Sequence, residues 1–253
     1  MKKYVFIFLI LLTVFAVCPV FAQQASTTVP IPKIGINIGT SENPKDVSVT
    51  LQILLLMTVL SLAPSLLIMT TSYLRIIIVF HFLKSALGTQ SMPPSQLLAG
   101  IALFITFFIM APTWSKVNDV ALKPLMDGKI KLEEAYDKGI EPIRDFMFKN
   151  VRDEDLALFI NLANMKRPEN RNDLPTYIVI PAFALSELRA GFIIGFFLFI
   201  PFLMIDMIVS SILMSMGMMM IPPMLISLPF KILLFVLVDG WNLIVGSVVR
   251  SFT

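Results

Sequence analysis

The sequence predicts an all-α integral membrane protein, in which long, proline-broken apolar helices form helical hairpins beside a small helical domain outside the cytoplasm. Hydrophobic residues make up 57% of the 253 residues, charged residues make up 15%, and the mean hydropathy is +0.84. Residues 115–173 carry 23 of the 37 charged residues, so the remainder has too few charges to cover a water-soluble surface. The composition therefore places most of the chain against lipid or other protein.

The first 22 residues have the pattern of a cleaved secretory signal peptide. Two lysines precede an apolar run over residues 4–17, and cleavage is expected between Ala22 and Gln23. The alternative is a retained first transmembrane helix, although the apolar run is shorter than the ~20 residues that a span needs. Residues 23–48 are rich in Ser, Thr, Pro, Gly and Asn, which predicts a flexible linker.

Residues 49–113 are predicted to form the first membrane hairpin. An apolar stretch runs from residue 49 to residue 87, a cluster of breaker residues follows at 88–94, and a second apolar segment runs from Leu97 to Pro112. Arg75 and Lys84 lie between the two spans without an acidic neighbour, which favours a cytoplasmic position for that connection.

Residues 114–176 are predicted to form a small helical domain in the periplasm or its equivalent. A helix is expected to begin at Glu141-Pro142, with Phe146 on its apolar face. Acidic residues open a second helix, on whose apolar stripe Phe159 lies. Because so short a segment has little core of its own, we expect Phe146 and Phe159 to support self-association, with core packing as the equal alternative.

Several charges stand in apolar sequence, where each costs ~2.5 kcal/mol or more unless it is paired or wet. They are Arg75, Glu187, Arg189, Asp206, Lys231 and Asp239. We expect Arg75, Glu187, Asp206 and Asp239 to be buried structural charges that hold an assembly together. The alternative is an ion or proton path, as in an ion-coupled transporter that uses Asp206 and Asp239.

Residues 177–253 are predicted to form a second hairpin with a methionine-rich loop. Six methionines fall within 214–224, and Gly217, Pro222 and Pro223 favour a loop that hinges there. In an extended loop, alternate methionines lie on one side, whereas on a helix they would scatter around the axis. Unbranched thioethers suit a pore constriction that repacks around irregular cargo, and a packed apolar helix is the alternative. The expected gasket residues are Met214, Met216, Met218, Met219 and Met220.

The sequence predicts no catalytic, metal or cofactor site. His81 is the single histidine, so histidine-based metal sites and serine–histidine–aspartate arrangements lack parts, and no phosphate-binding glycine motif is present. The net charge of +3 is scattered, which is unlike the dense basic patch of a nucleic-acid partner.

Long segments of the chain resemble the FliP family of flagellar type III protein-export gate subunits. The resemblance runs without gaps through residues 64–112, through PAFALSELRAGFIIGF, through IPFLMIDMIVSSILMSMGMMMIPP and through LPFKILLFVLVDGW. It also includes RDFMFKNVRDEDLALF in the polar segment, and it covers the chain from about residue 51 onward.

This resemblance implies a non-enzymatic subunit of the flagellar basal body in the bacterial inner membrane. Such chains assemble in several copies with FliQ-like and FliR-like subunits into a gate that unfolded flagellar proteins cross. The resemblance also places the methionine gasket in the predicted loop, and it implies that apolar segments can be buried against neighbouring subunits. The injectisome counterpart shares the core motifs, but the predicted signal peptide favours the flagellar branch.

Overall fold

The computed structural model describes residues 44–89, 92–165, 170–218 and 220–252, with side chains from Leu51 onward. By its internal contacts the chain divides into residues 1–52 and residues 53–253, and the description below concerns the second unit. The predicted signal peptide with Ala22 and Gln23, and most of the predicted linker, lie outside the described residues. The predicted linker ends earlier than residue 48, because α1 begins at Pro44.

The described residues are mostly helical and contain no β-strand, which confirms the predicted all-α class. The helices are α1 Pro44–Thr70, α2 Tyr73–Leu87, α3 Ser95–Val117, α4 Lys123–Met126, α5 Leu132–Asn150, α6 Asp153–Leu162, α7 Thr176–Ser215, α8 Pro223–Leu237 and α9 Gly240–Arg250. A π-helical turn, Asn118–Leu122, joins α3 to α4, and a 3-10 turn, Arg171–Asp173, precedes α7.

Three helical segments in the described residues are long and apolar enough to cross a bilayer. They are Leu51–Thr70, Ser95–Met126 and Thr176–Ser215. The pair α8 and α9 would make a fourth span, bent by 64°. The fold is therefore that of an integral membrane protein.

Several prolines in the apolar runs lie inside helices and do not end them. Pro64, Pro181, Pro201 and Pro229 all lie inside helices, so α7 runs unbroken for 40 residues. A proline removes one backbone hydrogen bond, and a long helix held by its other bonds and by neighbouring helices can absorb that loss. Other prolines stand at breaks: Pro94 precedes α3, Pro175 precedes α7, and the Pro222-Pro223 pair starts α8.

The main core lies where α2 packs along α7. Two glycines one turn apart on α7 allow this close approach: a Cβ on Gly191 would lie 3.0 Å from Ile78 Cβ, and one on Gly195 would lie 2.8 Å from Phe82 Cβ. Around this contact, α3, α8 and α9 bury apolar side chains against α2. The position of α2 is thus set by neighbours on several sides.

The polar segment shares its core with α7. Its second core cluster joins Met147 and Phe148 of α5, and Ile160 of α6, to Val179 and Phe183 of α7. The predicted start of α5 at Glu141 is wrong, since the helix begins nine residues earlier and contains Pro142. The short segment gains the core that it lacks from the first turns of α7.

Candidate functional site

A fully buried ion pair joins α2 to α7. Arg75 donates from Nε to Glu187 Oε2 at 3.0 Å and from Nη2 to the other carboxylate oxygen, and the two side chains are 6% and 0% exposed. Arg75 Nη1 also donates to the carbonyl and hydroxyl oxygens of Ser251, at 2.9 Å and 2.8 Å. The guanidinium lies 3.8 Å from the centroid of the Phe252 ring. One arginine therefore connects α2, α7 and the turn after α9.

A second ion pair joins α7 to α8 and reaches α2. Lys231 Nζ donates to Asp206 Oδ2 at 2.6 Å and to the carbonyl oxygen of Ala86, near the end of α2, at 3.1 Å. The hydroxyl of Ser227 lies 2.5 Å from the other carboxylate oxygen of Asp206. The side chain of Lys231 is 3% exposed and that of Asp206 is 31% exposed.

The structure contradicts the prediction that Asp239 is buried. Asp239 is exposed and precedes α9, with a left-handed backbone (φ +48°) that Asp tolerates better than most residues. Sequence reasoning selected Asp206 without its partner Lys231, and it missed Ser227 and Ser251. The pairing of Lys231 with Asp206 could have been predicted, because the two residues carry opposite charges in adjacent apolar runs. No feature of the sequence indicated that the two serines would be hydrogen-bond partners. Among the described residues, no three His, Cys, Asp or Glu side chains converge as metal ligands.

The methionine segment is a capped helix end followed by a short loop. Met214 lies within the last turn of α7, so the prediction that it belongs to the loop is wrong. Gly217 N–H donates to Met214 O and Met218 N–H donates to Leu213 O, both at 3.0 Å, which is the Schellman pattern of a helix C-terminus. Gly217 has φ +76°, the left-handed value that this cap requires.

The hydrogen bonds of the α7 end continue through Met218, so residues 214–218 do not show the expected alternation of an extended strand. Met216 has a helical backbone, and Pro222 caps α8, with Pro223 as its first residue. The predicted hinge residues therefore act as caps, since glycine ends one helix and proline starts the next. Met216, Met218 and Met220 are 67%, 39% and 98% exposed, while Met219 lies outside the described residues. We call the described residues 216–218 and 220–222 the methionine loop.

Phe146 and Phe159 are both half-buried within the chain itself. The Phe146 ring lies 5.9 Å from that of Phe183 and stacks at 6.1 Å on that of Phe252, so it lies between the two core clusters. Phe159 packs against the second cluster only. Each aromatic has a core contact and a partly exposed surface, so both expected roles remain open to them.

Long apolar helices, two interhelical ion pairs and an exposed thioether loop define an all-α integral membrane protein. The FliP family model matches residues 56–248 of the chain. The chain belongs to the FliP family, and this membership gives it a role in flagellar biosynthesis and export.

Three relatives of this chain share one protein name. The Flagellar biosynthetic protein FliP of Bacillus subtilis (strain 168) is 61% identical over 217 residues, which cover 86% of this chain and 98% of that relative. The proteins of the same name from Caulobacter vibrioides and Treponema pallidum are 50% and 46% identical, over 87% and 88% of this chain and over 82% and 83% of their own lengths.

Proposed function

We propose that the chain is a subunit of the flagellar type III export gate. Together with further copies of itself and with FliQ-like and FliR-like partners, the chain forms a sealed pore. This pore lies in the bacterial inner membrane, within the flagellar basal body. Unfolded flagellar proteins pass through that pore. Family membership supports the export role, and the geometry of the methionine loop supports its part in the seal.

The observation that carries this proposal is the exposure of thioether side chains on a loop with well-defined ends. The Schellman cap and the Pro222-Pro223 start hold the backbone on both sides, while Met216 and Met220 have few contacts within the chain. Copies arranged about one axis would bring such loops into a ring. Flexible, polarizable side chains could then close on one another when the pore is empty and repack around a passing chain.

Large exposed apolar surfaces support the proposed assembly. Phe104 and Phe108 on α3 are 78% and 74% exposed, and Phe196 and Phe197 on α7 are 64% and 66% exposed. Exposed aromatic surface of this extent is buried by lipid or by neighbouring subunits. We propose that part of this surface is buried against further copies of the chain and against the FliQ-like and FliR-like partners.

The seal is tested by replacing Met218, Met219 and Met220 together with alanine in the assembled complex. Since the loop backbone keeps its caps, assembly should be unchanged while ion conductance across vesicles that contain the complex rises. Met126→Ala, an exposed methionine far along the chain on α4, is the matched control and should not leak. Unchanged conductance in a fully assembled triple variant would show that the seal lies elsewhere.

We also propose that the exposed sides of Phe146 and Phe159 contribute to packing between copies. Phe159→Ser and Phe146→Ser are compared for thermal unfolding and for the size of the assembled complex. A variant that stays folded yet forms smaller complexes would support the contact between copies. Two folded variants that both assemble normally would assign these aromatics to the core of one chain.

The transporter alternative gains no support from the positions of its two aspartates. Asp206 is paired with Lys231 and lies within hydrogen-bonding distance of Ser227, while Asp239 is exposed at the bend between α8 and α9. We therefore propose that the paired charges Arg75, Glu187 and Asp206, the last of which is only half-buried, hold the fold and the assembly together. An Asp206→Asn variant that assembles fully but abolishes export would favour a transport role instead.

A further inference from the structure

We propose that the Asp206–Lys231 ion pair, together with Ser227, is a positioning site that sets the angle at which the methionine loop leaves the helices. This role rests on the sealing function proposed above. The pair joins the two helices that the loop connects, α7 and α8, and it does so close to the loop. Asp206 lies nine residues before the end of α7, which corresponds to ~13 Å along the helix axis.

Two side chains of α8 bind the same carboxylate. Ser227 and Lys231 are one helical turn apart, and their polar atoms lie 2.5 Å and 2.6 Å from the two oxygens of Asp206. Contacts one turn apart on a single carboxylate restrict both the sliding and the rotation of α8 against α7. Because Pro223 begins α8 only four residues before Ser227, this restriction extends to the end of the loop.

A third helix supplies a fixed reference. Lys231 donates to the carbonyl oxygen of Ala86, and a Cβ on Gly88 would lie 3.7 Å from Lys231 Nζ and 3.8 Å from Met224 Cγ. The ammonium therefore binds a backbone carbonyl at the C-terminal end of α2, where the helix dipole favours a cation. Since α2 is buried between several helices, the loop is positioned against the main core.

Because the ammonium of Lys231 is buried, the ion pair discriminates between positions of α8 along α7. With Lys231 only 3% exposed, a shift of α8 away from Asp206 leaves a buried cation without its carboxylate, and loss of the Ala86 carbonyl leaves it with one acceptor fewer. An apolar contact at the same place would tolerate sliding, because dispersion and burial have no direction. The ion pair thus favours one register of α8 over neighbouring ones.

The test measures loop position directly in the full chain, assembled with its native partners. Spin labels are placed at Ser85→Cys on the exposed side of α2 and at Met220→Cys in the loop, in a Cys18→Ser background, with labelled chains diluted among unlabelled ones. The variants are Lys231→Met, the charge-neutral pair Asp206→Asn with Lys231→Met, and Ser227→Ala. Lys123→Met, which breaks the exposed Lys123–Asp119 pair, is the matched control. Conductance is measured on the same variants without labels.

The label distance should widen most in Lys231→Met, less in Ser227→Ala and not at all in Lys123→Met. The population of displaced loops should rise about tenfold or more in Lys231→Met, since α8 loses the two charged hydrogen bonds that tie it to Asp206 and to Ala86. The charge-neutral variant, Asp206→Asn with Lys231→Met, leaves no unpaired charge. It therefore still tests the proposal if Lys231→Met alone does not fold, and it should widen the distribution of the label distance. An unchanged distribution in the assembled charge-neutral variant would overturn the proposal. Widening without an ion leak would uphold the positioning role and count against the methionine seal.

Discussion

The two halves of α7 are both apolar, yet they have very different surroundings. In residues 176–195 the helix buries side chains on several faces against α2, α5 and α6. The buried positions there are Ile178, Val179, Ala182, Phe183, Ser186, Glu187, Gly191 and Gly195. In residues 196–215 only Phe202 and Leu213 are buried.

This difference separates the part of the helix that holds the fold from the part that offers surface to other molecules. The first half carries the buried Arg75–Glu187 pair and the glycine contact with α2. The second half ends in the methionine loop and is joined to α8 through Asp206. Substitutions in the first half should therefore lower the free energy of unfolding, and those in the second should change assembly or sealing.

The largest effect is expected from Glu187→Leu in the buried half. This change leaves the Arg75 guanidinium buried without its carboxylate and should lower the free energy of unfolding by ~3–5 kcal/mol. Thermal unfolding in detergent measures it, with Lys123→Met at an exposed pair as the control. Arg75→Leu combined with Glu187→Leu should recover part of the loss. A single variant as stable as the parent would contradict the structural role of the pair.

A smaller loss is expected from Gly195→Ala. The new methyl group would overlap the Phe82 side chain of α2, and such overpacking costs ~1–3 kcal/mol. Gly100→Ala in the second turn of α3 is the matched control, because outside its own stretch of helix no atom lies within 4 Å of the added Cβ. There the better helix propensity of alanine should raise stability by up to ~1 kcal/mol. Equal unfolding curves for the two variants would show that the helices do not depend on this close approach.

In the second half of α7, Phe197→Ser should change assembly more than stability. The side chain is 66% exposed, so the free energy of unfolding should shift by no more than ~0.5 kcal/mol. If neighbouring subunits cover this face, the fraction of chains in large complexes should fall, as measured by native gel electrophoresis. Phe183→Ser, at a fully buried ring of the first half, is the contrasting variant and should lower the free energy of unfolding. Normal assembly of Phe197→Ser would assign this face to lipid.

The smallest effect is expected from Ser72→Ala at the break between α1 and α2. Its hydroxyl is fully buried and, alone among the buried side-chain polar atoms of the described residues, has no hydrogen-bond partner. Removing a polar group that is already unsatisfied should leave the unfolding free energy unchanged or slightly raised. Thr71→Ala, next to it, is the comparison. A clear loss of stability in Ser72→Ala would mean that the hydroxyl has a partner in the membrane.

Several features of the candidate site could be predicted from local sequence. The break near Gly217, Pro222 and Pro223 was predicted because glycine and proline act on the backbone at their own positions. The expected extended form of the loop was wrong, since the hydrogen bonds of the α7 end continue through Met218. The start of α5 was also misplaced, because Pro142 is accommodated inside a helix that packs on α3 and α7.

The sequence by itself determined the membrane class, the helical secondary structure and the place of the methionine loop. These properties follow from composition and from short-range backbone chemistry, since in lipid a helix satisfies its own polar groups. Only the tertiary structure decided that Arg75 pairs with Glu187, 112 positions away, and that Lys231 pairs with Asp206 while Asp239 stays exposed. The partner of a buried charge depends on which helices approach each other and at what register. That choice depends on the packing of side chains from distant segments, such as Phe82 against Gly195.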